Sequence, residues 1–204
     1  MGFYEDQILP RGIDWGMSGE RFSILRQEYL AGVSGRVLEV GFGSGLNLPY
    51  FPETVTHLYA LDPSQLGRRL AKKRIQHAPF PVEFVELEGS RFGLPDHSVD
   101  AVVSTWTLCT IPDPTAALKE IRRVLKPEGK YCFLEHGLSP DRRVARLQNL
   151  WNPMQKWFAG GCHVNREIDH LILNSGFKIL DSKNFYMEGP KVLTYMYGGV
   201  ASPE

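Results

Sequence analysis

The sequence predicts an α/β fold: a doubly wound, seven-stranded sheet, mostly parallel, that ends in an antiparallel hairpin. Three observations carry this. Apolar runs alternate with helical patterns from Arg36 onward, the first run flows straight into a glycine-rich turn, and only Met187-Glu188-Gly189-Pro190 separates the last two runs. Parallel neighbours need a crossover of a dozen or more residues, whereas four residues suffice for a hairpin.

The first strand candidate, 36–41, delivers the chain to Gly41, Gly43 and Gly45, with an acid at Glu39 two positions before the first glycine. Glycine reaches φ values closed to other residues and lets a ligand approach without meeting a Cβ. The dinucleotide fingerprint places its third glycine where Leu46 stands here, so that ligand class is disfavoured. A carboxylate aimed into the turn repels a pyrophosphate and attracts a cation such as the amino group of S-adenosylmethionine.

The second candidate, 57–61, ends at Asp62, 21 residues past Gly41, where an acid grips ribose hydroxyls in doubly wound folds. Ribose is common to NAD and S-adenosylmethionine, so Glu39 and the glycine spacing separate the two. A helix follows from Pro63 to about His77; its start, Pro63-Ser64, belongs to the cofactor rim, and Arg68, Arg69, Lys72, Lys73 and Arg74 read as a solvated face.

Candidates 82–86 and 99–104 come next. Asp113-Pro114 then supplies a cap and a first-turn proline for a helix with Ala117, Leu118, Ile121, Val124 and Leu125 at three-and-four spacing. It stops at Lys126-Pro127-Glu128-Gly129, and strand 130–135 follows. Helices at 141–159 and up to Leu173 lead to the hairpin candidates 177–183 and 191–197.

Equal counts of 23 basic and 23 acidic residues give no field that would concentrate nucleic acid. Cys109, Cys132 and Cys162 are odd in number and widely spaced, indicating neither a disulfide framework nor a structural zinc site, and no metal is expected. Glu5 and Asp6 break any signal peptide, Asp6 stands where a myristoylation pattern from Gly2 wants Ser or Thr, and no apolar run spans a membrane. A cytoplasmic protein is expected.

Four motifs in series resemble the class I S-adenosylmethionine-dependent methyltransferases, a Rossmann-like family, over about Arg36 to Tyr197: Val37-Leu38-Glu39-Val40-Gly41-Phe42-Gly43-Ser44-Gly45, Leu61-Asp62-Pro63-Ser64, Leu94-Pro95-Asp96-His97-Ser98-Val99-Asp100 and Ile121-Arg122-Arg123-Val124-Leu125-Lys126-Pro127-Glu128-Gly129. The resemblance implies that Glu39, the three glycines and Asn47 surround the methionine part of the cofactor, with Thr105 beside them, while Asp62 holds the ribose and Gly89-Ser90 flanks adenine. S-adenosylhomocysteine would be the product. The chain then divides into an amino-terminal helix or lid over 1–35, a cofactor-binding core over 36–135, substrate-side helices over 136–176 and a hairpin over 177–204, all one domain.

Leu108-Cys109, Leu134-Glu135-His136 and Gly161-Cys162-His163-Val164-Asn165-Arg166-Glu167 look like the thiol methyltransferases of the methyltransferase-like protein seven subgroup. A small, fairly apolar acceptor follows, with a thiol first and quinone or other aromatic C- or O-methylation second. A nicotinamide dehydrogenase and a non-catalytic adenosyl-binding domain are the readings from other classes.

His136, just past a strand end, is the candidate catalytic group, able to take a proton from substrate, or else a histidine bonded to a loop carbonyl. Glu135 faces the other way and reads as structural, as does the Cys162-His163 loop. Cys132 reads as a buried hydrophobe, and Cys109 as core or substrate contact. Phe3, Tyr4, Ile8, Leu9 and Trp15, with Leu147, Leu150, Trp151, Met154, Trp157 and Phe158, suggest an apolar lid. That second set packs on the domain in the favoured reading; the alternative, with Arg142, Arg143 and Arg146, is contact with a membrane surface.

Overall fold

The computed structural model describes residues 7–204. Gly2, Phe3, Tyr4, Glu5 and Asp6, which entered the readings above, lie outside them. In chain order come helices α1 (Leu9–Gly16) and α2 (Glu20–Leu30), strands β1 (Gly35–Val40) and β2 (Val55–Leu61), α3 (Gln65–Gln76) and β3 (Val82–Phe84). A small ribbon of β4 (Leu87–Glu88) and β5 (Arg91–Phe92) precedes β6 (Val99–Thr105), α4 (Pro114–Val124), β7 (Leu125–His136), α5 (Arg142–Phe158) and α6 (Ile168–Leu173). The chain closes with β8 (Phe177–Tyr186), α7 (Lys191–Thr194) and β9 (Tyr195–Pro203).

Seven strands form one sheet in the order β3-β2-β1-β6-β7-β9-β8, with β9 antiparallel to both neighbours and the remaining pairs parallel. The expected fold class holds. Alternation along β1 sends Leu38 and Val40 into the core under α4 and α6, and Val37 into the core that takes in Leu30 and Ala71 from α2 and α3. The order in which the chain adds strands reverses between β1 and β6, which are themselves parallel. Register brings Val40, Leu61 and Ser104 level there, so the carboxyl ends of β1, β2 and β6 open on one crevice, the usual ligand position in such sheets.

Local chemistry sets the boundaries. The Ser64 hydroxyl accepts from Gly67 N at 3.0 Å, so α3 starts at Gln65 rather than Pro63. Asp113 caps α4 through Ala116 N at 2.9 Å, and the stripe Ala117, Leu118, Ile121 and Val124 is buried as its spacing predicts. Strand β7 begins five residues early, at Leu125, because the register with β6 shifts between Val99 and Ala101 and absorbs the proline-containing turn. The last strand moves the other way. Pro190 starts a helical turn, with Leu193 N donating to its carbonyl at 2.8 Å, so Lys191–Thr194 are helical and β9 starts at Tyr195.

Helix α5 departs from its favoured reading: Val144 and Gln148 are its buried residues, while Leu150 is 79% and Trp157 74% exposed. The Gln148 amide accounts for this inward face, accepting from Ser139 N and donating to Gly137 O at 2.8 and 3.0 Å. Among the described residues no helix is long and apolar enough to cross a membrane.

Arg123 fastens α4 to the loop before β6, donating to Asp96, Glu120 and the carbonyls of Leu94 and Phe92 at 2.6 to 3.0 Å. Arg123→Ala is expected to lower stability by about 1–3 kcal/mol, the range for losing charge-assisted hydrogen bonds, as a lower urea midpoint with an unchanged slope.

Candidate active site

At the carboxyl end of β1 the chain turns through Gly41, Gly43 and Gly45 at φ values of 78°, 55° and 75°. Two of these glycines do different jobs. A Cβ at Gly41 would fall 2.0 to 2.6 Å from the Thr107 side chain, so packing demands glycine there; at Gly43 nothing but a carbonyl 3.9 Å away stands near, and the turn faces open space.

Asp62 ties this turn to β2. One carboxylate oxygen accepts from Gly43 N and the other from Ser64 N, both at 2.7 Å, while burial pushes its carboxyl above the usual range. Arg74, read as part of a solvated face, instead donates to Asp14 of α1 and to Ser44 O in the turn, at 2.8 and 3.0 Å. Arg68 likewise pairs with Glu86 at 2.7 Å.

The floor is a buried polar chain. Glu39, 2% exposed, accepts from Asn47 Nδ2 at 2.8 Å through Oε1, and its Oε2 has no partner. Asn47 also donates to Thr105 Oγ1 at 3.0 Å and accepts from Arg26 Nε at 3.0 Å. Burial pushes the Glu39 carboxyl up to about 8, against the pull of Asn47 and Arg26. Arg26 lies over the Trp106 ring at 5.1 Å, and the indole Nε1 is a second buried atom without a partner.

These groups line one cavity of about 550 Å³, walled on its apolar side by Leu9, Ile13, Met17, Ile111 and Pro112. It brings together Glu39, Gly41, Gly43, Asn47, Asp62, Pro63 and Thr105 from the sequence-based set. Gly45, Ser64, Gly89, Ser90 and His136 are not among its lining residues. Gly45 packs towards Leu48 and Phe42, Ser64 caps α3, and Gly89-Ser90 sits exposed at the tip of the β4–β5 ribbon. His136 has its Nδ1 3.9 Å from Cys162 Sγ.

Sequence reasoning missed Arg26, Trp106, Thr107 and Thr110. Trp106 carries a signal only structure reveals, a φ of 50° in a bulky residue. Glu135 is structural, as its position predicts: fully buried, it accepts from Ser104 Oγ at 2.7 Å and from the N–H groups of Thr107 and Cys109 at 2.8 and 3.3 Å. It thereby fixes the loop after β6 that forms one cavity wall.

Residues 38–133 match the family model described as a methyltransferase domain. The chain carries a class I methyltransferase domain. It is 35% identical over 157 residues to the thiol S-methyltransferase TMT1B of Rattus norvegicus and 32% identical over 161 residues to the thiol S-methyltransferase TMT1A of Homo sapiens. Each alignment covers 72% of this chain but 62% of the relative, so the chain spans under two thirds of those proteins. The fold matches the solved SAM-dependent methyltransferase of Aquifex aeolicus with a TM-score of 0.64 at 20% identity, over 96% of this chain and 98% of that one.

Family and fold of this methyltransferase domain imply S-adenosylmethionine as cofactor. The residues present fit it. An acceptor and a donor stand buried and unpartnered at Glu39 Oε2 and Trp106 Nε1, and Gly43 leaves space where a Cβ would intrude.

Because the folded state holds a proton on Glu39 that the unfolded chain releases in the ordinary carboxylate range, stability falls as pH rises from that range to about 8. Glu39→Gln is expected to flatten this slope and raise the melting temperature at pH 8, read by thermal denaturation across pH.

Proposed function

We propose that the chain transfers the methyl group of S-adenosylmethionine to a small, fairly apolar thiol. The observation that carries the reading is the unpartnered Glu39 Oε2 beneath a side-chain-free turn, a site that favours a cationic amino acid moiety over a phosphate. The choice of thiol rests on the thiol S-methyltransferases it resembles and on the apolar wall of the cavity.

The bound cofactor would supply a methyl group on a positively charged sulfur. Around it, Glu39 would give up its proton as the cation arrives and take the ammonium group, with Arg26 and Trp106 Nε1 offering donors to the carboxylate beside it. Gly41, Gly43, Asn47 and Thr105 shape that end of the cavity. Asp62 keeps a free lone pair on each oxygen after its two backbone bonds, enough to accept from both ribose hydroxyls, and Pro63 forms the rim.

The chemistry the cofactor would supply is an in-line displacement, in which an acceptor thiolate would take the methyl group while the electron pair of the broken carbon–sulfonium bond would stay with the cofactor's sulfur. Opposite charges are neutralised, so the protein contributes most by aligning the two sulfurs and excluding water. Leu9, Ile13, Met17, Ile111 and Pro112 do the excluding. A thiol ionises appreciably near neutral pH, so no protein base is assigned. His136, whose ring faces Cys162, is not given that role.

Incubation with labelled cofactor and a panel of alkyl and aryl thiols, phenols, quinols and amines is expected to label the thiols. Label on phenols or quinols alone would replace the acceptor assigned here, and calorimetric binding of NADH in place of S-adenosylhomocysteine would overturn the reading. Asp62→Ala is expected to weaken S-adenosylhomocysteine binding by about 1–3 kcal/mol, roughly 5- to 150-fold, in the same calorimeter.

A further inference from the structure

Three ligand-type side chains that the methyl-transfer reading leaves unused meet behind the cavity wall. Cys109 comes from the loop after β6, His136 from the end of β7, and Cys162 from the turn after α5. One sulfur or nitrogen from each lies within 4.8 Å of the others. Cys162 Sγ is 3.6 Å from Cys109 Sγ and 3.9 Å from His136 Nδ1, and the two cysteines are 7% and 0% exposed.

Distances separate the possible chemistries. A disulfide needs its sulfurs about 2.05 Å apart, so this pair stands roughly 1.5 Å too far. Two thiolates on one tetrahedral zinc, each about 2.3 Å from the ion, lie about 3.8 Å apart, and a thiolate and an imidazole nitrogen about 3.6 Å apart. The two separations from Cys162 Sγ fall within a few tenths of an ångström of these values, and the third pair, Cys109 with His136, lies within 4.8 Å. Buried cysteines are ordinary core residues, but core packing alone gives no reason for an imidazole nitrogen to face them.

The backbone around the cluster is already fastened. Cys109 N donates to Glu135, and Cys109 O accepts from His163 N at 2.8 Å, which ties the loop after β6 to the turn after α5. Glu135 thereby holds the backbone that carries Cys109. The Thr110 hydroxyl is 3.7 Å from Cys109 Sγ.

We propose that Cys109, His136 and Cys162 form a binding site for a thiophilic divalent cation, zinc above all, with a fourth position left for water or a small thiol. Binding releases the two thiol protons and leaves a neutral Zn(Cys)₂ centre, which a buried pocket tolerates. The ion joins three segments, two of which carry cavity-lining residues at Thr110 and Gly160-Gly161, and so sets that wall. Sequence spacing gave no hint of it, because the three residues are 27 and 26 positions apart along the chain.

The test uses the full chain, stripped with a chelator under reducing conditions and given zinc alone, then dialysed and assayed for metal. About one zinc per chain is expected to remain, and cobalt in its place should show a thiolate-to-cobalt charge-transfer absorption. Cys109→Ser, Cys162→Ser and His136→Ala are each expected to weaken retention at least tenfold, while Cys132→Ser keeps it; circular dichroism and the melting temperature report whether each variant is folded. The proposal is overturned if the folded wild-type chain retains no zinc, if cobalt gives no charge-transfer band, if Cys109→Ser retains zinc in full, or if mass spectrometry finds a Cys109–Cys162 disulfide. None of these readouts depends on methyl transfer, so either reading can fail without the other.

Discussion

A carboxyl group held out of water with one oxygen unspent is the constraint around which the site is arranged. Glu39 lies on a central strand, where neither face of the sheet offers solvent, and the chain compensates half of it through Asn47 and Arg26. The other half is left to whatever enters the cavity. Such an arrangement costs stability while the cavity is empty and converts that cost into selectivity when a cation arrives. The glycine turn, the tether through Asp62 and the loop pinned by Glu135 all serve to keep the approach to that oxygen open.

The parts of this design that depend on neighbours in sequence were legible. Strand β1, its turn and Asp62 follow from apolar runs meeting glycines and an acid at fixed offsets, and α4 follows from a cap, a proline and a regular stripe. What escaped depends on contacts made across the fold. Arg26 reaches Asn47 from a helix of feeble amphipathic pattern, and Trp106 takes its left-handed backbone because its N–H meets Leu134 O. The turn at Gly89-Ser90 lies at the exposed tip of the β4–β5 ribbon, a placement that no spacing in the sequence announces.

The same lesson applies to the carboxyl-terminal half. Proline at 190 can open a helical turn as readily as end a loop, and the four residues Lys191–Thr194 do not decide between them. On α5, aromatic residues at helical spacing suggested burial, yet the polar Gln148 had the better partners inward and took the buried face. Hydrogen bonds to a loop outweighed hydrophobic area there because Ser139 N and Gly137 O would otherwise be buried without partners.

Strand order also has a consequence for how the protein is made. Because β9 lies between β7 and β8, β8 has no partner in the sheet until Tyr195–Pro203 has left the ribosome, although it is translated first. The parallel half can assemble during synthesis, since β1, β2, β3, β6 and β7 pair among themselves. Until β9 emerges, the nascent chain therefore presents a bare edge on β7 and a solitary strand beside it, the form of this protein most exposed to mispairing with its neighbours on a polysome.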